Sequence, residues 1–417
     1  MTARTRRADG AHRVVVTGMG IVSPLGNDLG RVTQALREGT SGVRLMPEWR
    51  KIDGLYACLA APAAPGLDPQ VIPRPFRRSM GPQALFAALA ARDAVADAGL
   101  DEARLCSGTV GVSIGSTMGS PEALTAFFRH LIGSSSLRGI KSTAFLQTMA
   151  HTCAANVAIL FGITGRLIAP VSACTSGSQG VGAAFEAVRH GLQDAMICGG
   201  ADEAHFIAAG TFDIVGGASR REDPSATPRP FDADRDGLVV GEGSGVLVLE
   251  SLEHAAARGA RIHAEIVGYA TNCDGAHMSQ PQQSGSEACM RQALRDAGIA
   301  ATDVHYINAH ATATPIGDSI EASATAAVFG DRVPVSSAKG QTGYTLGACG
   351  ALETIFTVLM MQQGFIAATR NLDRIDPACG GIQHVQRTRP ATIRVALNNN
   401  FAFGGVNTSI VLRAFEG

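Results

Sequence analysis

The chain lacks the features that mark secreted, membrane-spanning and nucleic-acid-binding proteins. No stretch of its 417 residues approaches the roughly 18 consecutive apolar residues that span a bilayer, and its arginine-rich start contains no apolar signal region. A formal net charge of -1 provides no overall field for nucleic acid, and no long run of Lys or Arg compensates. We therefore expect a cytoplasmic protein with no membrane span and no nucleic-acid partner.

The nine cysteines are scattered and form no CxxC pair. An odd number without such pairs argues against a disulfide framework and against a zinc ribbon. We expect reduced thiols and no metal site. The ordinary role of any one of these cysteines is that of a small buried apolar residue.

Alternating strand and helix patterns run along the whole chain and predict an α/β fold. The same order of elements occurs in both halves, which indicates a duplication with domains at 1–255 and 256–417. A charged, proline-containing connection at 220–236 is expected to be exposed. The predicted strands are 12–18, 109–115, 194–200, 245–250, 262–269, 304–309, 333–336, 394–398 and 408–412, and the predicted helices are 73–99, 177–191, 286–298, one from 318, and 347–363.

Two motif fragments are too weak to carry a function. The segment GMGIVS at 18–23 follows a strand but has Ser23 in place of the third glycine of a dinucleotide fingerprint. The segment GSQG at 177–180 lacks the preceding glycine of a hydrolase nucleophile elbow. We therefore expect neither NAD binding nor serine-hydrolase chemistry.

Cys174 lies in the segment VSACTSG at 171–177, where an apolar strand ends and small residues permit a sharp turn into a helix. The amides and dipole of a helix N-terminus stabilise a thiolate, so we expect a lowered pKa for the Cys174 thiol. Such a thiolate can accept an acyl group. Taken alone, the segment fits an inert buried cysteine equally well.

Three further segments carry polar side chains among small residues. His310 lies in NAHATAT at 308–314, where a strand meets a loop, although a buried structural histidine explains it as well. Lys339 lies in SSAKGQTGYTLG at 336–347 and is either a surface charge or a partner of Glu353. The segment NNNFAFGGVN at 398–407 places three asparagines before a Phe/Gly turn, which is unusual for a purely structural segment.

Together, the four segments resemble the β-ketoacyl-[acyl-carrier-protein] synthase family of the type II fatty-acid synthases. The resemblance extends from VVVTGMGIVSPLG near the start to NNFAFGGVNTS near the end. The strings ACTSGSQG, RPFDADRDGLVVGEGSG, LGACGALE and NNFAFGGVNTS look closest to the ketosynthases of bacterial aryl-polyene clusters. The resemblance implies a thiolase-like fold, in which two duplicated halves form a five-layer α/β/α/β/α sandwich.

The resemblance also implies a role for each motif residue. Cys174 would accept an acyl chain from the phosphopantetheine arm of an acyl carrier protein, and no cofactor would be bound. His310 would donate a hydrogen bond to the enolate formed when malonyl loses CO₂. The other implied roles are an oxyanion hole at the Cys174 and Phe403 amides, a gate at Phe403 with support from Phe401, organisation of the histidine region by Lys339 and Glu353, and pantetheine binding by Thr312 and Thr314.

Two positions depart from the family pattern. Tyr344 occupies the position of the second catalytic histidine in the family's GHTLG motif. A phenol can donate a hydrogen bond, but its reference pKa near 10 suits proton transfer poorly. Ala311 replaces a glycine that follows the first histidine, and it would be strained by about 1–2 kcal/mol if its φ were positive. Acyl loading on Cys174 is therefore a safer prediction than condensation.

The expected partner is an acyl carrier protein, which is acidic and needs a basic docking surface. Arg74, Arg77 and Arg78 lie where family members meet the carrier, although ordinary solvated arginines are as reasonable. The protein is expected to form a homodimer or a heterodimer with a chain-length-factor homologue. Decarboxylative Claisen condensation is the leading function. The alternatives are a transacylase or starter-loading enzyme, a non-catalytic chain-length-factor-like subunit, and a thiolase, for which Cys379 and the two glycines after it supply only a motif fragment.

Overall fold

The structure, a computed structural model, describes residues 5–7 and 9–416. Residues 1–4 and 8 of the arginine-rich start lie outside the described residues. The described chain forms these strands: β1 Val14–Val22, β2 Arg44–Leu45, β3 Leu59–Ala61, β4 Val110–Gly115, β5 Leu167–Ile168, β6 Ala195–Asp202, β7 Val240–Gly241, β8 Gly243–Ser251, β9 Ala264–Cys273, β10 Tyr306–Asn308, β11 Pro334–Ser336, β12 Phe365–Ile366, β13 Gln383–His384, β14 Arg389–Pro390, β15 Val395–Phe401 and β16 Val406–Arg413. Its α-helices are α1 Leu29–Glu38, α2 Arg74–Arg77, α3 Pro82–Ala98, α4 Glu102–Leu105, α5 Pro121–Ser134, α6 Ser142–Thr148, α7 Thr152–Phe161, α8 Ser176–Arg189, α9 Phe206–Ile214, α10 Leu252–Ala257, α11 Gln283–Ala297, α12 Pro315–Phe329, α13 Lys339–Thr342 and α14 Cys349–Gln363.

The main sheet repeats one strand order in the two halves of the chain. Its eleven strands run β13-β11-β10-β15-β16-β9-β1-β8-β6-β4-β5. In the first half, β4 pairs in parallel with β5 and β6, and β6, β8 and β1 then pair antiparallel. In the second half, β10 pairs in parallel with β11 and β15, and β15, β16 and β9 then pair antiparallel. The two halves join where β1 pairs with β9.

The five layers pack around three apolar cores, one on each outer face of the sheet and one in the centre. Helices α3 and α7 pack on the outer face of the first half-sheet, and α11 and α12 pack on the outer face of the second. The largest core lies between the half-sheets and contains apolar side chains of α8 and α14. The predicted thiolase-like α/β/α/β/α arrangement is confirmed, and its central helices α8 and α14 begin close to the residues of the candidate site.

The predicted end of the first strand at 18 and the predicted single helix over 73–99 are both wrong. Strand β1 continues to Val22, because Gly18 and Gly20 allow α3 to lie directly on it: a Cβ on Gly20 would stand 1.9 Å from the Ala90 carbonyl oxygen. The 73–99 segment divides into α2 and α3, because Gly81 caps α3 and Pro82 occupies its first turn. Gly99 does cap the helix, as predicted, with φ 64°.

The connection at 220–236 is exposed or partly exposed over 220–226, as its charges predicted, but much of it is buried from 227 onward. Phe231 and Asp232 are fully buried. The Asp232 carboxylate accepts hydrogen bonds from the backbone N–H groups of Asp373 and Arg374 and pairs with the Arg229 guanidinium. A buried carboxylate with several donors is stable in the interior, and charge alone did not reveal these donors.

Across residues 5–7 and 9–416, no individual helix combines the length and apolar character that crossing a bilayer requires. In the same residues, no group of three or more His, Cys, Asp or Glu side chains is arranged to hold a metal ion.

Candidate active site

Cys174 lies in a tight turn immediately before α8. The turn Ala173–Thr175 is a 3-10 helix, and Ala173 has a φ of 49°, which costs an L-residue about 1–2 kcal/mol. Hydroxyl groups secure it, since Ser176 Oγ donates to the Ala173 carbonyl and Thr175 Oγ1 donates to the Ser172 carbonyl. The predicted turn into a helix is confirmed, but no strand runs into it, because β5 ends at Ile168 and Val171 is exposed.

The predicted lowering of the Cys174 pKa is wrong for the free enzyme. Burial raises the pKa of the thiol above its usual value, and only 8% of the residue is exposed. Four weaker effects lower the pKa of this thiol. From the largest to the smallest, they come from the Tyr344 hydroxyl, the Phe403 N–H, the Cys174 N–H and the charge of Lys339. Helix α8 begins two residues later, at Ser176, and does not compensate for desolvation.

His310 follows β10 and is held by its backbone. Its N–H donates to Glu321 Oε1 at 2.8 Å, and the Ala311 N–H donates to Glu321 Oε2 at 2.7 Å. Burial lowers the pKa of His310 well below its usual value, and nearby Lys339 adds to this effect. The imidazole is therefore neutral near pH 7, and its Nδ1 has no hydrogen-bond partner within the described chain.

Lys339 and Glu353 form a fully buried ion pair, so the predicted pairing is confirmed and a surface lysine is excluded. Burial acts to lower the pKa of Lys339, but Glu353, Cys349 and Glu321 together outweigh burial, so the pKa is raised. Asn400 Nδ2 donates to the second Glu353 oxygen at 2.8 Å. The Lys339 ammonium of this pair acts on His310 with its positive charge, and neither member of the pair lines the cavity that the histidine lines.

Tyr344 lies beside the nucleophile. Its backbone is fixed by β7, because its N–H donates to the Val239 carbonyl at 2.7 Å and its carbonyl accepts from Gly241 N–H at 2.7 Å. The Tyr344 hydroxyl lies near enough to the Cys174 sulfur to lower the pKa of that thiol, and burial raises the pKa of the phenol well above its usual value. Tyr344 is therefore a neutral hydrogen-bond donor at the sulfur.

Aromatic rings surround this donor. Phe212, on α9, lies edge-on to Tyr344 with ring centroids 5.9 Å apart and lies 5.8 Å from the Phe403 ring. Phe401, at the end of β15, lies edge-on to His310 at 6.2 Å. Phe403 is 41% exposed and lines the same cavity as Cys174, and its N–H acts to lower the pKa of the thiol.

One cavity of about 410 Å³ joins most of the sequence-predicted residues. Thr312 and Thr314 lie in its wall with their hydroxyl oxygens 3.1 Å apart. An acyl group with a thin polar arm can therefore reach the sulfur past hydroxyl groups. The predicted residues that line the cavity are Cys174, His310, Thr312, Thr314, Tyr344, Phe401 and Phe403.

Ala311 is not strained. The positive φ in this loop belongs to Ala313, at 69°, and not to Ala311. The replacement of glycine at 311 is therefore harmless to the backbone.

Arg74, Arg77 and Arg78 lie outside this site. With Lys141 they line a separate cleft of about 530 Å³ between α2 and α6, and no carboxylate lines it. In the described part of the chain, none of these four side chains forms an ion pair. These four cations form a positively charged surface that is separate from the cavity around Cys174.

Sequence reasoning missed several neighbours of the predicted residues. Cys349, the first residue of α14, donates from its Sγ to the Cys174 carbonyl at 3.4 Å. Glu321 orients the backbone at His310, and Phe212 separates Tyr344 from Phe403. Cys349 was visible in the string LGACGALE, but Glu321 and Phe212 carry no local signal because they meet the site only through the fold.

Comparison with known proteins agrees with this arrangement. The model of the β-ketoacyl synthase N-terminal domain matches residues 11–255, and that of the C-terminal domain matches residues 263–373. The 3-oxoacyl-[acyl-carrier-protein] synthase 1 of Haemophilus influenzae is 38% identical over 410 residues, which cover 97% of this chain and 100% of that protein.

Solved structures give the same result. A β-ketoacyl synthase from Burkholderia phymatum superposes with a TM-score of 0.94 at 45% identity and covers 97% of this chain and 100% of its own. The AntDE:AntF assembly, a type II polyketide acyl carrier protein in complex with its ketosynthase bound to the hexaketide, has a TM-score of 0.89 at 29% identity and the same coverage. The chain belongs to the β-ketoacyl synthase family of condensing enzymes.

Proposed function

We propose that the protein extends an acyl chain by decarboxylative Claisen condensation with malonyl-acyl carrier protein, and that Cys174 carries the chain. The observation that supports this most strongly is the set of donors that meet at one sulfur. The Tyr344 hydroxyl and the amides of Phe403 and Cys174 each act to lower the pKa of the Cys174 thiol, and neutral His310 lines the same cavity. A condensing enzyme with this arrangement has the groups needed for its two steps, which are acyl transfer to the cysteine and condensation with the malonyl unit.

In the first half-reaction, the Cys174 sulfur attacks the thioester carbonyl of the incoming acyl chain. The bond to the pantetheine sulfur breaks, and the thiol proton leaves with that sulfur. Negative charge develops on the carbonyl oxygen, where the Phe403 and Cys174 N–H groups stabilise it. Because burial raises the pKa of the thiol, these donors must act as the charge forms and not before.

In the second half-reaction, malonyl on the carrier loses CO₂ and leaves an enolate. His310 and Tyr344 donate hydrogen bonds to the enolate oxygen, and both remain neutral near pH 7. The enolate carbon attacks the acyl carbonyl on Cys174, a carbon–carbon bond forms, the bond from the acyl carbon to the Cys174 sulfur breaks, and the thiolate released takes a proton from solvent. Tyr344 thus takes the place that a second histidine has in the family, as a donor only.

A product assay tests this function against its alternatives. Purified protein is incubated with an acyl-carrier protein and malonyl-carrier protein, and both CO₂ and the carrier-bound products are measured. Condensation predicts one CO₂ for each chain lengthened by two carbons. Acyl transfer without CO₂ would instead establish a transacylase, and the absence of both would establish a non-catalytic subunit.

A conjugated acyl chain, as in aryl-polyene synthesis, is the substrate that the site favours. Phe212, Phe401, Phe403 and Tyr344 present four aromatic rings near the sulfur, and flat π-systems stack on such rings with about 0.5–1.5 kcal/mol per pair. A polyenoyl carrier should therefore load about fivefold faster than a saturated carrier of equal length. We expect Phe212→Leu to remove this preference, and equal rates in the unaltered enzyme would contradict it.

The basic cleft is proposed to dock the acidic carrier. Reversing Arg77 and Arg78 to Glu places negative charge opposite the carrier, and we expect carrier-dependent loading to fall about 10–100-fold because charge steers association. Alkylation of Cys174 by a small thiol reagent should not change. As a matched control, reversal of Arg291 and Arg295, exposed residues of α11, should leave loading intact. Equal loading by both double variants would refute the docking surface.

We further propose that residues 1–255 and 256–417 act as the two halves of one subunit, with the division inside α10, and that the subunit pairs with a second chain. Helices α5, α6 and α7 leave Phe128, Ile132, Phe145 and Ile159 exposed beside the edge strand β5, which favours a covered interface. The native mass of the purified protein distinguishes a homodimer from a monomer that requires a chain-length-factor homologue as its partner.

The nine unpaired cysteines support a reducing, cytoplasmic location.

A further inference from the structure

Asp202, the last residue of β6, is a buried carboxylate that sequence reasoning did not single out. Its oxygens lie 2.8 Å from Ser116 Oγ and 2.9 Å from Thr117 Oγ1, and they accept the Thr117 N–H at 3.1 Å. A further hydrogen bond of 2.7 Å comes from the Gly347 N–H. Within the described residues, no Lys, Arg or His forms an ion pair with Asp202, so these donors alone compensate its burial.

The hydrogen bond to Gly347 fixes the end of the turn that begins at Tyr344. Gly347 has no room for a side chain, because a Cβ there would stand 2.7 Å from Asp202 Oδ2 and 3.0 Å from Ser176 Cβ. The turn is therefore held between the carboxylate and the start of α8, the helix that follows the nucleophile. Immediately after it, Cys349 begins α14 and contacts the Cys174 carbonyl.

The other end of the turn is fixed independently. Tyr344 exchanges backbone hydrogen bonds with Val239 and Gly241, as described above. Between the two ends, Leu346 is held at a φ of 54°, a conformation that strains a residue with a side chain. A strained turn of this kind persists only while both ends are held, and loss of the Gly347 hydrogen bond would let Leu346 relax.

We propose that Asp202 is a positioning residue for condensation, which holds Gly347 so that the strained turn keeps the Tyr344 hydroxyl directed at the acyl-bearing sulfur. The inference rests on the proposed role of Tyr344 as a donor. Leu346, Tyr344, Cys349 and Cys174 pack in one apolar cluster, so movement of the turn changes the position of the donor relative to the sulfur.

An ionised carboxylate holds the turn best, because the backbone N–H groups of Gly347 and Thr117 donate to it. Burial raises the pKa of Asp202 to about 7, although the hydrogen bonds oppose this rise. The titratable groups that face it are Tyr344, Cys349 and Cys153, on which its charge acts, and the adjacent Glu203. Because the pKa of Asp202 is raised, the carboxylate becomes protonated as pH falls through about 7, and its hydrogen bond with the Gly347 N–H should weaken as pH falls.

Asp202→Asn tests the proposal, because the amide keeps the shape but turns an N–H₂ group toward a donor. We expect condensation to fall about 10–100-fold through kcat, while loading of Cys174 changes by about threefold at most. The rate of wild-type condensation should decline as pH falls through about 7, and the rate of the Asp202→Asn variant should not show this decline. Asp202→Glu, which retains two acceptor oxygens, should recover much of the lost rate.

Glu203→Gln is the matched control, since Glu203 also has a pKa near 7 but accepts from Ser120 and the Glu122 N–H, away from the turn. It should keep both the rate and the acid limb. Equal losses of loading and condensation in Asp202→Asn, or an unchanged acid limb, would overturn the proposal. If Tyr344→Phe is fully active, the role of Tyr344 itself fails; if Tyr344→Phe is impaired and Asp202→Asn is not, only the present inference fails.

Discussion

Replacing Cys174 with Ala should abolish acyl loading and reduce condensation by at least about 10³-fold. No other thiol combines a place in the cavity wall with donors directed at its sulfur, among the residues that the structure describes. The loss should be confined to the chemistry, because Ala fits the turn and removes only one buried sulfur. We expect the free energy of unfolding to change by no more than about 1 kcal/mol.

Cys349 provides the matched control for this variant. It lies in the same apolar cluster and is more deeply buried than Cys174, and burial raises the pKa of its thiol well above the usual value. Cys349→Ala should still gain the mass of one acyl group. If Cys174→Ala continued to load and Cys349→Ala did not, the nucleophile would have been assigned to the wrong sulfur.

Tyr344→Phe should lower condensation and CO₂ release by about 10²–10³-fold, the usual effect of removing one donor from a developing oxyanion. The ring contacts with Phe212 and His310 remain, so stability should change by less than about 1.5 kcal/mol. Loading should slow less, since the hydroxyl is only one of several groups that favour the Cys174 thiolate.

Tyr344→His gives the complementary result. The imidazole can donate an N–H and also exchange a proton near pH 7, so CO₂ release should rise above that of the unaltered enzyme. The measurement is the initial rate of CO₂ release from malonyl-carrier protein for all three proteins. Full activity in Tyr344→Phe, or no rise in Tyr344→His, would count against a donor at this position.

Much of the fold and of the site follows from local sequence patterns. Small residues around Cys174 predicted the turn into α8. The sequence offered a Lys339–Glu353 pair as one of two alternatives, and the structure contains that pair. Period and length located most strands of both halves, including β4, β6, β8 and β16. These features depend on residues that are close in sequence, or on motifs whose order along the chain indicates the fold.

Features set by burial could not be predicted in this way. A helix start predicted a lowered pKa for Cys174, yet desolvation in the folded cluster raises it. The connection at 220–236 is rich in charge, yet Asp232 is buried against backbone donors from residues about 140 positions away. Glu321 and Asp202 likewise depend on partners brought together by the fold, so their own sequence neighbourhoods carry no signal.

The mass of the peptide that contains Cys174 is the most direct test of covalent acyl transfer. After incubation with an acyl-carrier protein, we predict an increase equal to one acyl group on that peptide, and malonyl-carrier protein should then discharge it as CO₂ is released. An unmodified Cys174 peptide, under conditions in which the lengthened product accumulates, would contradict the account.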